Sequence, residues 1–151
     1  MELPDDIYEQ IETLSEAGNE ASEEGDHDGA IAHWRQALAL LPEPVREWEA
    51  YEWLQASIGD SYYQMGDFEQ ARENFFEALS SHEAQENAFA HYMLGKTFWR
   101  LEDERAVESL LKAYMLEGVE IFDTDEPEGP EVLRLLEERG LLTEPDSSSA
   151  S

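Results

Sequence analysis

The sequence predicts an all-α protein made of three successive antiparallel helix pairs and a C-terminal capping helix. In three places a glycine within a helical pattern precedes a group of alanines by a nearly fixed step. A short polar segment with turn-forming residues separates the glycine from the alanines in each copy. The chain has 151 residues and a hydrophobic content of 41%, which is enough to form a packed core.

The repeated pattern is clearest in the second copy, where Gly59 is followed by Ala71, Phe75 and Ala78. The equivalent sets are Gly18 with Ala30, Trp34 and Ala37, and Gly95 with Ala106, Leu110 and Ala113. From the glycine to the first alanine the step is 12, 12 and 11 residues. A glycine that faces alanines lets two helices approach to the short end of the ~8–10 Å range of interaxial distances. Each copy therefore predicts a closely packed helix pair.

Turn signals separate the two helices of each pair. Gly25-Asp26 and Gly66-Asp67 are typical of such turns, because glycine accepts the left-handed conformation that ends a helix and aspartate caps the next one. In the third copy Leu101-Glu102-Asp103 takes this place without a glycine. This difference predicts a tighter or strained turn there.

The pairs are expected at about residues 4–42, 44–80 and 83–122, within a single domain of residues 1–140. Extra residues before each first helix predict long first helices, extended by one to two turns. The last helix of the third pair is expected to reach Ile121 or Phe122, before the acidic segment "DTDEPEG". A capping helix is expected at about residues 130–139. Residues 141–151 are expected to be disordered.

The pattern resembles the tetratricopeptide repeat family, whose consensus is W-x2-L-G-x2-Y, then A-x3-F, then P. The second copy matches it at Ile58-Gly59, Tyr62, Ala71 and Phe75, and the likeness extends over about residues 12–115. It implies a right-handed superhelix in which the first helices line a concave groove that binds other proteins. The chain is similar to short, freestanding bacterial members of the family.

The resemblance also implies which side chains face the groove. They are Asn19, Trp53, Asp60, Tyr63, Tyr92, Lys96, Trp99 and Arg100. Tryptophan, tyrosine and arginine are the usual anchors of protein interfaces. The alternative, that the aromatic side chains pack between neighbouring helices as core, stays open. Some family members hold a chaperone's C-terminal carboxylate with lysine, asparagine and arginine, but Ser15, Ser57, Phe89 and Met93 occupy most of those positions. Binding to chaperone tails is therefore not expected.

The charge of the chain restricts the class of partner. There are 9 basic and 37 acidic residues, so the formal net charge is −28. Nucleic acids and anionic membranes would be repelled, and basic proteins would be attracted. The absence of cysteine excludes disulfides. No secretory signal or membrane-spanning run is recognisable, so a cytoplasmic protein is expected.

The sequence does not predict an enzyme, a cofactor or a metal site. The four histidines lack metal-ligand spacing. The segment "DTDEPEG" resembles the start of a calcium loop, but Pro127 and Arg134 stand where ligands are required. With 37 carboxylates, close acidic pairs arise by chance and indicate a solvated surface.

Two hypotheses about function follow. The first is an acidic immunity-type protein that neutralises a bacterial toxin by capturing a basic toxin domain. The alternative is an adaptor or chaperone that binds a peptide or helix in the concave aromatic groove. Capture by charge weakens steeply as salt rises, whereas binding in an aromatic groove does not. If the source organism is adapted to salt, the charge favours neither hypothesis.

Overall fold

The structure, a computed structural model, describes residues 2–142, and these residues form helices but no strand. The α-helices are α1 (Asp5–Glu23), α2 (His27–Ala39), α3 (Glu49–Met65), α4 (Phe68–Ala78), α5 (Ala88–Arg100), α6 (Arg105–Glu117), α7 (Glu120–Asp123) and α8 (Glu128–Glu138). Two 3₁₀ helices cover Val45–Glu47 and Glu83–Glu86. The predicted all-α class, with three helix pairs and a C-terminal helix, is confirmed. Most of the predicted disordered tail, residues 143–151, lies outside the described residues.

The chain divides into two compact units, one up to Glu86 and one from Asn87 onwards. In the first unit α1 packs on α2, α2 on α3, and α3 on α4. In the second unit α5 packs on α6, and α8 packs on α6 and α7. No helix within residues 2–142 combines the length and apolar character that crossing a membrane requires.

Within each pair, the glycine of the first helix makes room for a large side chain of the second. A Cβ atom at Gly59 would lie 2.9 Å from the ring of Phe75. A Cβ at Gly18 would overlap the indole of Trp34, and one at Gly95 would lie 2.6 Å from the side chain of Leu110. The expectation that the glycine mainly faces alanines was therefore wrong. The nearest neighbour is the residue four positions after the first alanine, which fills the space left by the missing Cβ.

The turns between paired helices follow the predicted chemistry. Gly25 and Gly66 have φ angles of 82° and 84°, in the left-handed region. The carboxylates of Asp26 and Asp67 accept hydrogen bonds from the backbone N–H three residues later, at 3.0 and 3.2 Å. In the third pair Glu102 takes the same position with φ 57°. The prediction of a strained turn is confirmed, because a residue with a Cβ disfavours this conformation.

Replacing Glu102 with glycine is expected to stabilise the protein by about 0.5–1 kcal/mol, since glycine removes the cost of the left-handed conformation. Urea unfolding followed by circular dichroism measures the change. The control is Glu104→Gly, because Glu104 has φ −58° and a glycine there brings no relief. Equal effects of the two substitutions would contradict the assignment of strain to Glu102.

The expectation of long first helices fits α1 and α3 but not α5. The first helices α1 and α3 are long, with 19 and 17 residues, but α5 has 13. Before α3, the indole N–H of Trp48 donates to the carbonyl of Pro42 at 2.7 Å. Before α5, the side chain of Asn87 accepts from the backbone N–H of Ala90 at 3.0 Å. This cap fixes the start of α5, so the extra residues form a 3₁₀ helix instead.

The end of α6 also differs from the prediction. The helix ends at Glu117 rather than at Ile121 or Phe122, because Gly118 has a φ of 72° and interrupts it. The chain then forms the short helix α7, whose Phe122 is fully buried. After Gly118 and α7, the acidic segment that follows lies against α5, where Asp125 and Glu128 bind Lys96.

Candidate functional site

The centre of the candidate site in the second unit is Lys96 on α5, whose side chain is only 3% exposed. Its Nζ lies 2.6 Å from Oδ2 of Asp125 and 3.0 Å from Oε1 of Glu128. Asp125 lies between α7 and α8, and Glu128 is the first residue of α8. A buried ammonium group needs compensating partners, because removal from water is costly. The two carboxylates supply them.

Two further side chains of α5 contact the same carboxylates. The hydroxyl of Tyr92 donates to Oδ2 of Asp125 at 2.5 Å, and Arg100 donates to Oε2 of Glu128. We call Tyr92, Lys96, Arg100, Asp125 and Glu128 the lysine cluster. Since its three donors are four residues apart, they lie on one ridge of α5. The cluster thus joins α5 to the start of α8 through charge-assisted hydrogen bonds.

Aromatic rings border the lysine cluster. The ring of Phe122 meets that of Tyr92 edge to face, with 5.1 Å between centroids and 87° between planes. The guanidinium carbon of Arg100 lies 5.0 Å from the centroid of the Trp99 ring. The four residues predicted for this end of the groove, Tyr92, Lys96, Trp99 and Arg100, therefore lie together on α5. Tyr92, Lys96 and Arg100 also bind Asp125 or Glu128.

The predicted site residues of the first unit have different surroundings. Asn19 is exposed on α1, and Trp53 on α3 is 39% exposed. Asp60 is half-buried and accepts a hydrogen bond from the side-chain amide of Gln64 at 3.3 Å. Tyr63 is buried, and its ring meets that of Phe68 at 5.1 Å between centroids. Of these residues, Asn19 and Trp53 are the most accessible to a partner.

A second ionic cluster was missed by sequence reasoning. Glu77 of α4 accepts hydrogen bonds from the hydroxyl of Tyr51 and, at 2.7 Å, from the guanidinium of Arg46. The Tyr51 hydrogen bond holds the pKa of Glu77 below its ordinary value, and burial raises the pKa of Tyr51. These residues are 26 and 31 positions from Glu77 along the chain. The cluster links the start of α3 to the end of α4. No local sequence pattern predicts contacts between residues so far apart in the chain.

The described residues offer no arrangement typical of a metal centre. Within residues 2–142, no group of three or more histidine, aspartate or glutamate side chains is placed to hold a metal ion. The carboxylates of the lysine cluster bind cationic side chains instead.

Comparisons with known proteins show a similarity to tetratricopeptide repeats in both sequence and fold. Residues 57–120 match the family model described as Tetratricopeptide repeat. The first TPR of Spaghetti (RPAP3), solved bound to the HSP90 peptide SRMEEVD, is 19% identical, with a TM-score of 0.66 over 87% of this chain and 95% of that chain. The MamA protein is also 19% identical, with a TM-score of 0.66 over 88% of this chain and 66% of that chain. None of the curated proteins compared matches the sequence.

Proposed function

We propose that this chain, whose residues 57–120 match the family model described as Tetratricopeptide repeat, is a non-enzymatic adaptor that holds a peptide or helix of a partner protein on the first helices α1 and α3 of its first unit. The repeat fold is typical of protein-binding modules. The structure of the first TPR of Spaghetti (RPAP3) contains a bound peptide, which supports this mode of binding. The proposal corresponds to the adaptor hypothesis.

The observation that carries the proposal is the exposure of Trp53. This indole is 39% exposed on α3, whereas Leu54 and Ile58 of the same helix are fully buried. The core of the pair therefore includes Leu54 and Ile58 and leaves much of the Trp53 ring open to solvent. Exposed tryptophans next to polar side chains are frequent centres of protein interfaces, because they bury a large area with little loss of entropy.

The charges favour a basic partner segment with an apolar anchor residue. In the second unit Lys96 and Arg100 are engaged by carboxylates of the chain itself. In the first unit α3 carries Asp60 seven residues after Trp53, and the net charge of the protein is −28. Such a field accelerates association with basic segments and opposes acidic ones. A basic toxin domain has this charge too, but none of the similar structures supports the toxin-neutralising hypothesis.

A displayed library of random peptides tests the proposal. We expect the selected peptides to combine basic residues with an aromatic or aliphatic residue. The variant Trp53→Ala is expected to weaken their binding by roughly 10–30-fold, or about 1.4–2 kcal/mol, as for other interface anchors. The measurement is the dissociation constant of two or three selected peptides, determined by titration.

The matched control is Phe76→Ala. Phe76 is also an aromatic residue that is 39% exposed, but it lies on α4, the second helix of the pair. This variant is expected to bind the selected peptides as tightly as the wild type. Equal loss in the two variants, or a selection of acidic peptides, would contradict the proposal.

A further inference from the structure

Three large apolar side chains are exposed to solvent where α6 ends and α7 begins. Met115 is 76% exposed, more than any other large apolar side chain within residues 2–142. Leu116 and Val119 are 43% and 37% exposed. We call these three residues the α6 patch. We infer that it is a second docking surface, which binds a basic amphipathic helix of a partner protein.

The α6 patch uses a different helix from the adaptor face of the proposed function. Trp53 belongs to α3 in the first unit, whereas α6 is the second helix of its pair and belongs to the second unit. The inward face of α6 consists of other residues, since Ala106, Leu110 and Ala113 are the side chains that are buried in the pair. The α6 patch therefore adds a surface to the proposed function and does not depend on it.

The grouping of the three side chains indicates an interaction site. Single exposed apolar residues are common on protein surfaces, but a group of them at one place is typical of a docking surface. Residues 143–151 read Thr-Glu-Pro-Asp-Ser-Ser-Ser-Ala-Ser, and none of their apolar side chains is larger than that of proline. This composition offers no anchor for the patch, so a segment of another protein is the better occupant.

The charges beside the patch favour a basic occupant. Glu117 and Glu120 follow Leu116 and Val119 directly in the chain, and both are exposed. The last turn of α6 contains no basic residue, so α6 itself does not neutralise the negative end of its own dipole there. An amphipathic helix with lysine or arginine on both sides of its apolar stripe supplies the missing cations and covers the patch.

A second copy of this chain fits the patch less well. In a symmetric dimer the same surface meets itself, so the Glu117 and Glu120 carboxylates of the two copies would come together. The net charge of −28 on each copy adds to this repulsion. A basic segment of a different protein meets an attractive field instead.

Methionine oxidation by hydrogen peroxide, read by mass spectrometry, locates binding at the patch. The probe is a synthetic peptide with three copies of Leu-Lys-Lys-Leu-Leu-Lys-Leu, a pattern that forms a basic amphipathic helix. Met115 reports on the patch, and Met65, which is 44% exposed on α3, is the internal reference. Saturating peptide is expected to lower the oxidation rate of Met115 relative to Met65 by roughly fivefold or more, because oxidation follows exposure. An unchanged ratio would overturn the inference.

A scrambled peptide of the same composition, without a continuous apolar face, tests whether charge alone is responsible. It carries the same number of lysines, so the field of the protein attracts it equally. We expect it to leave the oxidation rate of Met115 unchanged at the same concentration. Equal protection by the two peptides would also overturn the inference, because the patch would then not select an amphipathic helix.

The variant Leu116→Gln/Val119→Gln removes two apolar side chains of the patch and keeps Met115 as the reporter. It is expected to raise the peptide concentration that gives half-maximal protection by roughly tenfold or more. The matched control is Phe76→Gln, because Phe76 is 39% exposed on α4, which is also the second helix of its pair. This control is expected to bind the peptide like the wild type, and equal losses in both variants would contradict the inference.

The contribution of the carboxylates is tested with Glu117→Gln/Glu120→Gln. This variant is expected to weaken peptide binding at low salt by roughly threefold to tenfold and to reduce its salt dependence. The matched control, Glu83→Gln/Glu86→Gln, changes the net charge equally at two exposed glutamates with the same spacing. We expect this control to stay within about twofold of the wild type. Equal effects of the two variants would mean that the net charge, rather than the patch, attracts the peptide.

Two further results separate the possible occupants and the two proposals. A wild-type dimer in sedimentation experiments that becomes a monomer in Leu116→Gln/Val119→Gln would assign the patch to a second copy and overturn the inference. In Trp53→Ala, the protection of Met115 by the helical peptide is expected to be unchanged. If library peptides depend on Trp53 while Met115 stays unprotected, the adaptor face stands and the α6 patch fails. The reverse result removes the adaptor face and keeps the patch.

Discussion

Gly129→Ala is expected to destabilise the protein by about 3 kcal/mol or more, because the added methyl group has no space. A Cβ at this position would overlap the carbonyl oxygen of Phe122. The obstacle is backbone rather than the end of a flexible side chain, so α7 and α8 have to separate before the methyl group fits. The free energy of unfolding in urea, followed by circular dichroism, measures the loss.

The control for this prediction is Glu131→Ala. Glu131 is exposed on the same helix, two residues further on. Its replacement is expected to change the free energy of unfolding by less than about 0.5 kcal/mol, as for ordinary surface positions. A small effect of Gly129→Ala would mean that α7 and α8 adjust to a side chain at this position.

Phe75→Ala is expected to cost about 3–5 kcal/mol, the range for large-to-small substitutions of a buried aromatic residue. The Phe75 side chain is fully buried and lies against Gly59 of the neighbouring helix. The adjacent residue provides the control, because Phe76 has the same side chain but is 39% exposed. We expect Phe76→Ala to cost less than about 1 kcal/mol. Similar losses in the two variants would contradict the assignment of Phe75 to the core.

A double-mutant cycle tests the fit between Phe75 and Gly59 more sharply. Gly59→Ala alone is expected to cost about 1–3 kcal/mol, since the new Cβ lies 2.9 Å from a buried ring. In the Phe75→Ala background the same methyl group enters the space left by the ring. The coupling energy is therefore expected to reach about 1 kcal/mol or more in the favourable direction. Additive effects would show that the two positions do not contact each other.

The repeat positions were predictable because they follow from local packing rules. A closely packed helix pair needs a residue without a Cβ at the contact, and this requirement leaves the fixed step from Gly59 to Ala71 in the sequence, although the side chain that fills the space is Phe75. The turn at Glu102 was predictable for a similar reason, since the missing glycine left the left-handed position to a glutamate. Such features lie within one helix pair and are visible from spacing alone.

The end of α6 shows where this reasoning fails. Gly18, Gly59 and Gly95 lie inside helices and serve packing, and the predicted helix likewise ran past Gly118. Gly118 interrupts the helix instead, with φ 72°. The residue type is the same in both roles, and only the tertiary structure decides which one applies. By contrast, Asn87 before an apolar run was a usable capping signal, and it marks the true start of α5.

The candidate site was only partly predictable. The resemblance placed Tyr92, Lys96 and Arg100 together on one helix, and the structure has them on one ridge. Their partners Asp125 and Glu128 are 29 and 32 residues from Lys96. In a chain with 37 acidic residues, sequence gives no reason to choose these two. Long-range pairs of this kind depend on the path of α7, which the sequence did not predict.

The placement of the four tryptophans has an optical consequence. Trp34, Trp48 and Trp53 belong to the first unit, and Trp99 to the second. Trp34 is buried and donates to the carbonyl of Ser15 at 3.3 Å, whereas Trp53 is partly in water. Their emission is therefore expected to differ in wavelength and in quenching by acrylamide. Replacing the first three with phenylalanine would leave Trp99 as a lone fluorophore that reports on α5.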